Sequence, residues 1–268
     1  MPQKKLRQLR DGLKDLDSVA VAFSGGVDST LLLYLAHEEL GDRCVAITAR
    51  SHSFPERELR EAQGFCGERG ITHLIVDSEE LDIEGFSSNP PDRCYLCKRG
   101  LFEHIGKVVQ ERGLSWIVEG SNLDDEGDYR PGLVAVAEAG VRSPLREAGL
   151  TKAEVRALSR VLGLPTAEKP SFACLASRFP YGEHITAEGL TRVDRAEQLL
   201  LDEGLRQVRV RVHGDVARIE TDEDGMTRLL EPGLRERVHE QLQALGFRFV
   251  SLDMRGYRTG SMNATLPE

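Results

Sequence analysis

Apolar residues in the N-terminal part of the chain form short blocks separated by stretches of helical spacing. Val19–Phe23 contains five consecutive apolar residues, which predicts a strand buried on both faces of a sheet. Leucines then recur with helical spacing between Leu31 and Leu40, and Gly41 ends the predicted helix. The same patterns predict strands at 43–49, 72–76 and 115–119 and helices at 56–69, 95–112 and 152–162. This alternation predicts a parallel sheet with helices on both faces.

In a parallel sheet, ligands bind beyond the carboxyl ends of the strands. Three predicted loops lie at such ends, at 24–30, 48–53 and 120–128. The topology therefore predicts that these loops converge on one site.

The C-terminal part has a different pattern. Residues 207–212 alternate strictly between apolar and polar, and a second short block at 216–220 follows a glycine-containing turn, which predicts a β-hairpin. Helices at 186–201 and 232–245 and a strand at 247–252 are also predicted. The two hairpin strands, the helix at 232–245 and the last strand form a β-β-α-β unit. We therefore expect an α/β protein with two domains, a larger one at 1–168 and a smaller one at 169–268.

Composition limits the partners of the protein. The 268 residues carry a formal net charge of −9, and the pI of about 5.4 leaves no basic excess for binding nucleic acid. The stretch 1–16 has the pattern of a charged amphipathic helix rather than a cleavable signal, and no apolar run reaches the ~18–20 residues that cross a bilayer. We expect a cytoplasmic protein without a nucleic-acid or membrane partner. Its five cysteines, an odd number, argue against a disulfide framework.

The segment Ser24–Thr30 has the sequence SGGVDST and connects the first predicted strand to the first predicted helix. A glycine loop in this position directs backbone N–H groups and the positive end of a helix at one point, which suits a phosphate group. No lysine follows the glycines, so the loop is not a Walker A sequence. The candidate nucleotide-binding residues are Ser24, Gly25, Gly26, Val27, Asp28, Ser29 and Thr30, with Thr48, Gly120 and Asp125 at the other strand ends.

Four acidic residues lie within the five positions 124–128. Beside a triphosphate, one or two of these carboxylates can hold Mg²⁺, which takes few protein ligands and several phosphate oxygens. The alternative is a solvated loop, and the sequence favours neither.

Cys94 and Cys97 form a Cys-x-x-Cys pair at the start of a predicted helix. Such a pair can be a redox pair, half of a zinc site or part of an iron–sulfur site. If the segment around Cys174 folds back over the sheet, three thiolates converge, and these suit a 4Fe–4S cluster with one open iron or a zinc site. Spacing alone does not separate the two. The patterns around Cys44 and Cys66 favour small buried hydrophobic residues.

Arg209 and Arg211 lie on one face of the first hairpin strand, and the valines between them lie on the other. Either the arginine face is solvated, or the two guanidinium groups bind an anion such as phosphate or a carboxylate. The pattern leaves both interpretations open.

The SGGVDST loop resembles the PP-loop of the N-type ATP pyrophosphatases, in which the loop holds the β- and γ-phosphates while a nucleophile attacks the α-phosphorus. Further segments, in order over nearly the whole chain, resemble the LarE family of ATP-dependent sulfur transferases. These segments are 92–98, 119–125, 128–132, 169–182, 209–214 and 253–263. The resemblance implies a PP-loop ATP pyrophosphatase domain, wound on both faces, followed by a smaller α/β domain.

The LarE resemblance also implies a reaction. Members convert the two carboxylates of pyridinium-3,5-biscarboxylic acid mononucleotide into thiocarboxylates, a step towards the nickel-pincer nucleotide, and ATP activates each carboxylate by adenylation. Members with three cysteines use a 4Fe–4S cluster that carries an extra sulfide, and the matching residues here are Cys94, Cys97 and Cys174. In members with one cysteine, that residue surrenders its own sulfur. The resemblance therefore makes Cys174 either an iron ligand or a sacrificial donor, with the cluster version the closer match.

The same resemblance implies roles for neighbouring residues. Ser177 and Arg178 flank the transferring cysteine and are candidate catalytic residues together with it. The candidate substrate-binding residues are Arg209, Arg211 and Arg258, and Glu220 and Asp253 either shape the same pocket or lie on solvated surface. The expected cofactors are ATP, Mg²⁺ and a 4Fe–4S cluster. The expected partners are the pyridinium mononucleotide, sulfide or another sulfur donor, and further copies of the chain in a homo-oligomer.

Two other functions stay open at this point. One is a different PP-loop ligase that amidates a substrate or thiolates tRNA. The acidic pI and the absence of a nucleic-acid module or glutaminase region disfavour it. The other is a nucleotide-binding regulatory protein with a structural zinc at Cys94 and Cys97.

Overall fold

The computed structural model describes residues 2–127 and 131–258. The stretches 128–130 and 259–263, which contribute to the LarE resemblance, lie outside the described residues. The chain divides into two compact units. The first comprises Met1–Ile83 and Asp92–Phe172, and the second comprises Glu84–Pro91 and Ala173–Glu268.

The first unit contains a sheet of four parallel strands, as the alternating pattern predicts. Its strands are β1 (Val19–Ala22), β2 (Cys44–Arg50), β3 (Thr72–Asp77) and β4 (Trp116–Val118). Its helices are α1 (Pro2–Lys14), α2 (Val27–Leu40), α3 (Glu56–Arg69), α4 (Arg93–Arg112), α5 (Pro131–Glu138), α6 (Pro144–Glu147) and α7 (Lys152–Val161). The strand order β3-β2-β1-β4 places β1 in the interior of the sheet.

Both faces of this sheet are covered by apolar side chains. Val19 and Val21 of β1 belong to one hydrophobic cluster, which they share with α1, α2, α3 and α7. Ala20, between them, belongs to a second cluster with residues of α4 and α5. Because successive strand residues point to opposite faces, β1 is buried on both. Among the described residues, no helix combines the length and apolar character that crossing a membrane requires.

The second unit is a smaller α/β unit with a three-stranded mixed sheet. Its elements are α8 (Ala187–Asp202), β5 (Val208–His213), β6 (Val216–Thr221), α9 (Glu223–Leu229), α10 (Pro232–Ala244) and β7 (Phe249–Leu252). The predicted hairpin is present, since β5 pairs with β6 in antiparallel register, and β7 pairs with β6 in parallel. The short helix α9 is an addition to the predicted β-β-α-β order.

The division between the units differs from the predicted boundary at 168/169 in two respects. The first unit continues to Phe172, and the second recruits residues 84–91 from far upstream. Asn89 explains this recruitment, because its side-chain amide donates to the carbonyls of Phe179 and Pro180 at 3.1 and 2.7 Å. Its own carbonyl accepts from the Gly182 N–H at 2.9 Å. Asn89 is completely buried, so these bonds fix the upstream strip within the second unit.

Candidate active site

The glycine loop of the first unit connects β1 to α2. Gly25 has a φ of +69°, a conformation that favours glycine. Gly26 is the N-cap residue of α2, and no side chain of the described residues caps this helix. The Ser29 hydroxyl lies 3.0 Å from the Ser24 hydroxyl and donates to the Gly26 carbonyl at 3.3 Å, which closes the loop on itself. The backbone N–H groups of the first turn thus keep their capacity for a ligand.

Thr48, within β2, supports the residue that leads into this loop. Its hydroxyl donates to the carbonyl of Phe23 at 2.7 Å and lies 2.8 Å from Nε2 of His73. Its side chain is buried, and burial lowers the pKa of His73 below its ordinary value. The predicted nucleotide residue Thr48 therefore lies at the loop, with its hydroxyl bonded to protein groups.

Gly120, at the end of β4, packs directly against the start of α2. A Cβ atom at this position would lie 2.9 Å from the backbone nitrogen of Ser29 and 3.1 Å from its Cα, closer than real Cβ contacts. Only glycine fits this approach of two backbones. The structure thus brings the loops after β1 and β4 into contact.

Asp28 joins the glycine loop to the loop after β4 and to α7. One carboxylate oxygen accepts from the Asn122 side-chain amide at 3.2 Å, and the other forms an ion pair with Lys152. Lys152 is the first residue of α7. The capping box predicted at the start of α7, between Thr151 and Glu154, is present.

Two carboxylates of the acidic loop accept hydrogen bonds from backbone N–H groups. Asp125 is buried and accepts from the backbone N–H of Asn122 at 2.9 Å. Asp124 accepts from the backbone N–H of Lys152, also at 2.9 Å. Both carboxylates thus hold backbone N–H groups, but Asp125 is buried and Asp124 is exposed, and Asp128 lies outside the described residues.

Cys94 and Cys97 lie in the first turn of α4, three residues apart and hence on one face of the helix. Cys94 is exposed and Cys97 is partly exposed. Cys44 and Cys66 are buried in the core, as predicted, and burial raises the pKa of each of these thiols to about 12. Within residues 2–127 and 131–258, no group of three or more His, Cys, Asp or Glu side chains is placed to hold a metal ion.

Cys174 belongs to the second unit and precedes a single 3₁₀ turn, Leu175–Arg178. Cys174 is partly exposed. The Cys174 carbonyl accepts from the backbone N–H of Ser177 at 2.9 Å and from the Arg178 guanidinium at 3.3 Å. Arg178 also donates to the Ala173 carbonyl at 3.0 Å and to the Ser177 hydroxyl at 2.8 Å. The guanidinium thus fixes the backbone on both sides of the cysteine.

Arg178 is completely buried and is neutralised by Glu197 of α8. Nε and Nη2 of Arg178 donate to the two carboxylate oxygens of Glu197 at 2.7 and 3.0 Å, a bidentate pair. Glu197 also accepts from the Val210 backbone N–H at 2.9 Å, which ties α8 to β5. Burial by itself would raise the pKa of Glu197, but Arg178 lowers it, so the carboxylate is charged.

The hairpin arginines are also buried, and the interpretation of a solvated arginine face is wrong. Arg209 and Arg211 are only 6 % and 5 % exposed. Arg211 donates to the Ser177 carbonyl at 2.7 Å and to Glu220 of β6 at 2.9 Å. The hairpin register explains this, because Glu220 lies opposite Arg209 and diagonal to Arg211.

Glu220 and Asp253 extend the charged cluster across the sheet. Glu220 is buried and also lies 3.2 Å from Arg218, which forms a second ion pair with Asp253. Arg209 packs over the Tyr257 ring at 5.2 Å from its centroid. Burial, together with the positive charge of Arg178, lowers the pKa of Arg209 to about 10. Arg258 is exposed.

Sequence reasoning missed Glu197, Asn122 and Lys152. Glu197 could have been found, because it lies in helical register with the buried residues Leu190, Val193 and Leu200. A carboxylate at such a core position needs a buried cation. Asn122 and Lys152 gave no comparable signal, since both contacts with Asp28 are made by residues about 100 positions away.

Comparison with known proteins agrees with this architecture. The sequence model of the family described as queuosine biosynthesis protein QueC matches residues 18–89. The pyridinium-3,5-bisthiocarboxylic acid mononucleotide synthase of Lactiplantibacillus plantarum is 41 % identical over 255 residues, covering 95 % of this chain and 92 % of the relative. An uncharacterized protein of Synechocystis is 42 % identical over 99 % of both chains. An uncharacterized protein of Methanocaldococcus jannaschii is 26 % identical over 96 % of this chain and 98 % of its own.

An uncapped glycine loop at the end of an interior parallel strand fits these matches, which place the chain in the PP-loop class of ATP-using proteins. The similarity to the Lactiplantibacillus synthase then extends through both units. The chain belongs to the LarE family of ATP-dependent sulfur transferases.

Proposed function

We propose that this protein adenylates the two carboxylates of pyridinium-3,5-biscarboxylic acid mononucleotide and converts them to thiocarboxylates for nickel-pincer nucleotide biosynthesis. The observation that carries the proposal is the 41 % identity to the Lactiplantibacillus synthase over 95 % of the chain. A match limited to the nucleotide unit would support ATP use alone. This match covers the unit with Cys174 and the arginine cluster as well.

The first half of the reaction is the adenylation step, which takes place at the glycine loop. A substrate carboxylate oxygen attacks the α-phosphorus of ATP, the bond to the β-phosphate oxygen breaks, and pyrophosphate leaves. Backbone N–H groups of Ser24–Thr30 hold the β- and γ-phosphates in this proposal. Asp28 and Asp125 are the carboxylates proposed for Mg²⁺, which binds through one or two carboxylates and phosphate oxygens. For Asp28 this requires that Mg²⁺ share or replace its ion pair with Lys152.

The second half replaces oxygen by sulfur without any change of oxidation state. A sulfide attacks the carbonyl carbon of the acyl adenylate, and AMP leaves with the oxygen that the carboxylate lost. Adenylation is needed because a free carboxylate is a poor electrophile and AMP is a good leaving group. Each thiocarboxylate therefore consumes one ATP and yields one AMP and one pyrophosphate.

Cys94, Cys97 and Cys174 are proposed to hold a 4Fe–4S cluster. The donor set fits such a group, because iron–sulfur clusters are bound by thiolates and all three residues are exposed or partly exposed. When bound, the cluster would carry the transferred sulfide on the iron without a protein ligand. Ser177 and Arg178 then act as positioning residues, since Arg178 holds the carbonyls of Ala173 and Cys174.

The arginine cluster is proposed to bind the anionic groups of the substrate. Arg209, Arg211 and Arg258 are the candidates, because a guanidinium fork matches phosphate and carboxylate. Burial lowers the pKa of Arg209, and the positive charges of Arg178 and Arg211 act in the same direction, while Glu197 acts against them. An anionic ligand beside these guanidinium groups would be attracted to them.

The proposal is tested with protein reconstituted under anaerobic conditions with iron and sulfide. We expect iron and acid-labile sulfide bound to the protein, and equal amounts of AMP, pyrophosphate and new thiocarboxylate after incubation with substrate and ATP. The protein should keep its mass. Loss of sulfur at Cys174 would instead identify a sacrificial cysteine. Absence of substrate-dependent pyrophosphate release would contradict the proposed function as a whole.

A further inference from the structure

Lys169 has no assigned role, yet its ammonium group lies against the glycine loop of its own unit. Nζ donates to the Gly25 carbonyl at 3.2 Å and lies 2.6 Å from carboxylate oxygens of both Glu58 and Glu61 on α3. The Lys169 side chain is 15 % exposed and that of Glu58 only 5 %. The contact between Lys169 and Glu58 is therefore largely buried, whereas the Glu61 side chain is 58 % exposed.

The backbone that carries Lys169 is held independently. Arg156 of α7 donates to the Ala167 carbonyl at 2.7 Å and to the Lys169 carbonyl at 2.9 Å. Three residues further on, the ring of Phe172 packs edge-on against Phe54 with centroids 5.6 Å apart. The lysine thus reaches the loop from an anchored segment.

The bond to the Gly25 carbonyl has a consequence for phosphate binding. The carbonyl of Gly25 and the N–H of Gly26 belong to one planar trans peptide, so they point in opposite directions. A cation that fixes the carbonyl also fixes the direction of the Gly26 N–H. Gly25 has no Cβ, which allows its positive φ and leaves this peptide without a side-chain restraint.

The charge of Lys169 has a second consequence. Glu58 and Glu61 are two carboxylates beside a loop that binds a polyanion. A buried carboxylate such as Glu58 repels a neighbouring anion strongly, because burial reduces screening. Lys169 offsets part of this charge, as does Arg57, which lies 3.7 Å from Glu58, and the buried position of Glu58 makes such compensation necessary.

We propose that Lys169 is a positioning residue for the adenylation step, which orients the Gly25–Gly26 peptide towards the nucleotide phosphates and compensates Glu58 and Glu61. This inference rests on the proposed ATP site. It concerns binding of the nucleotide and makes no use of the sulfur chemistry.

The test measures binding of α,β-methylene ATP with Mg²⁺ by calorimetry, together with the KM for ATP and the kcat of pyrophosphate release. For Lys169→Met we expect nucleotide binding to weaken roughly tenfold or more, the loss of one hydrogen bond to a charged group. KM should rise with a smaller change in kcat, and Lys169→Arg should recover part of the affinity. The matched control is Glu168→Gln, which breaks an exposed ion pair with Arg160 at the neighbouring position and should bind as the unchanged protein does.

Wild-type affinity in Lys169→Met would overturn the inference, even if its melting temperature fell. If Lys169→Met does not fold, Lys169→Gln serves instead, and unchanged affinity in that variant has the same meaning. Failure of the proposed function would look different. The unchanged protein would still bind the ATP analogue, but it would release no pyrophosphate in response to the pyridinium substrate.

Discussion

Two short turns carry the proposed chemistry, and the fold holds them by different means. The glycine loop at 24–30 is closed mainly by short neutral groups, namely the hydroxyls of Ser29 and Thr48 and the close approach of Gly120, and the Lys169 ammonium adds one bond to the Gly25 carbonyl. The turn after Cys174 is held by a fully buried guanidinium, that of Arg178, which Glu197 neutralises.

The difference reflects what each turn must do. A loop that binds phosphate through its N–H groups needs small residues and a fixed backbone, and neutral bonds provide these without competing for the anion. A turn that presents a thiol has few backbone groups of its own to fix it. A multidentate cation can hold several carbonyls at once, but it then depends on a buried partner charge.

The largest expected effect therefore belongs to the charged turn. Replacing Glu197 with Ala leaves the buried Arg178 without its carboxylate, and we expect a loss of about 3–5 kcal/mol in the free energy of unfolding. Denaturant titration measures this. Glu203→Ala is the control, because Glu203 at the end of α8 forms only a surface pair with Arg237 and should cost about 1 kcal/mol or less. Equal losses for the two variants would show that the pair does not organise the turn.

Substitutions at the glycine loop should reduce the rate of pyrophosphate release more than they reduce stability. Gly120→Ala places a methyl group 2.9 Å from the Ser29 nitrogen and must displace the start of α2. We expect a fall in pyrophosphate release on the order of 100-fold, as misplacement of catalytic groups by about 1 Å can produce. Gly106→Ala within α4, where an added Cβ meets nothing within 4 Å, should keep full activity. A fully active Gly120→Ala variant would show that the loop after β4 does not contribute to the nucleotide site.

A smaller effect is expected at Thr48. Thr48→Val keeps the shape of the side chain but leaves the buried Phe23 carbonyl without the hydroxyl that donates to it. We expect a loss of roughly 1–3 kcal/mol in unfolding free energy, the cost of an unsatisfied buried group. Thr72→Val at the exposed start of β3 provides the comparison and should be close to neutral. If both substitutions are neutral, the hydroxyl does not support the loop.

The smallest expected effect is a pH dependence at His73. Its pKa is lowered by burial from the ordinary value of 6.5, so the folded state favours the neutral ring. The stabilisation is complete above pH 6.5 and is lost as the pH falls below 6.5 towards the lowered value. The melting temperature of the unchanged protein should therefore decrease over this range more than that of His73→Gln. If the melting temperatures of the two proteins change in parallel with pH, the pH dependence is due to groups other than His73.

The two regions also differ in how far the sequence alone predicts them. The apolar block Val19–Phe23, the glycines after it and the helix α3 at Glu56–Arg69 are local patterns, and the structure agrees with them closely. Local backbone preference is enough to place a phosphate loop between a buried strand and a helix. The parallel sheet follows from the alternation of these elements.

The second unit depends on contacts between distant residues. Alternating Val and Arg predicts the hairpin correctly, but it does not reveal that both arginines are buried. Arg211 contacts Glu220 across the hairpin and Ser177 far upstream, and Arg209 packs over the ring of Tyr257. The recruitment of residues 84–91 through Asn89 likewise has no local signal. The assignment of roles to Cys94, Cys97, Cys174 and the arginines stays a prediction.

The central claim is that activation and sulfur transfer are separate steps, with Cys174 needed only for the second. Its most direct test compares Cys174→Ala with Cys66→Ala, a control in which the substituted thiol is buried and has its pKa raised to about 12. Pyrophosphate and thiocarboxylate are quantified in the same reactions. The account predicts that Cys174→Ala releases pyrophosphate but forms no thiocarboxylate, whereas Cys66→Ala produces both. Thiocarboxylate formation by Cys174→Ala at the rate of the control would contradict it.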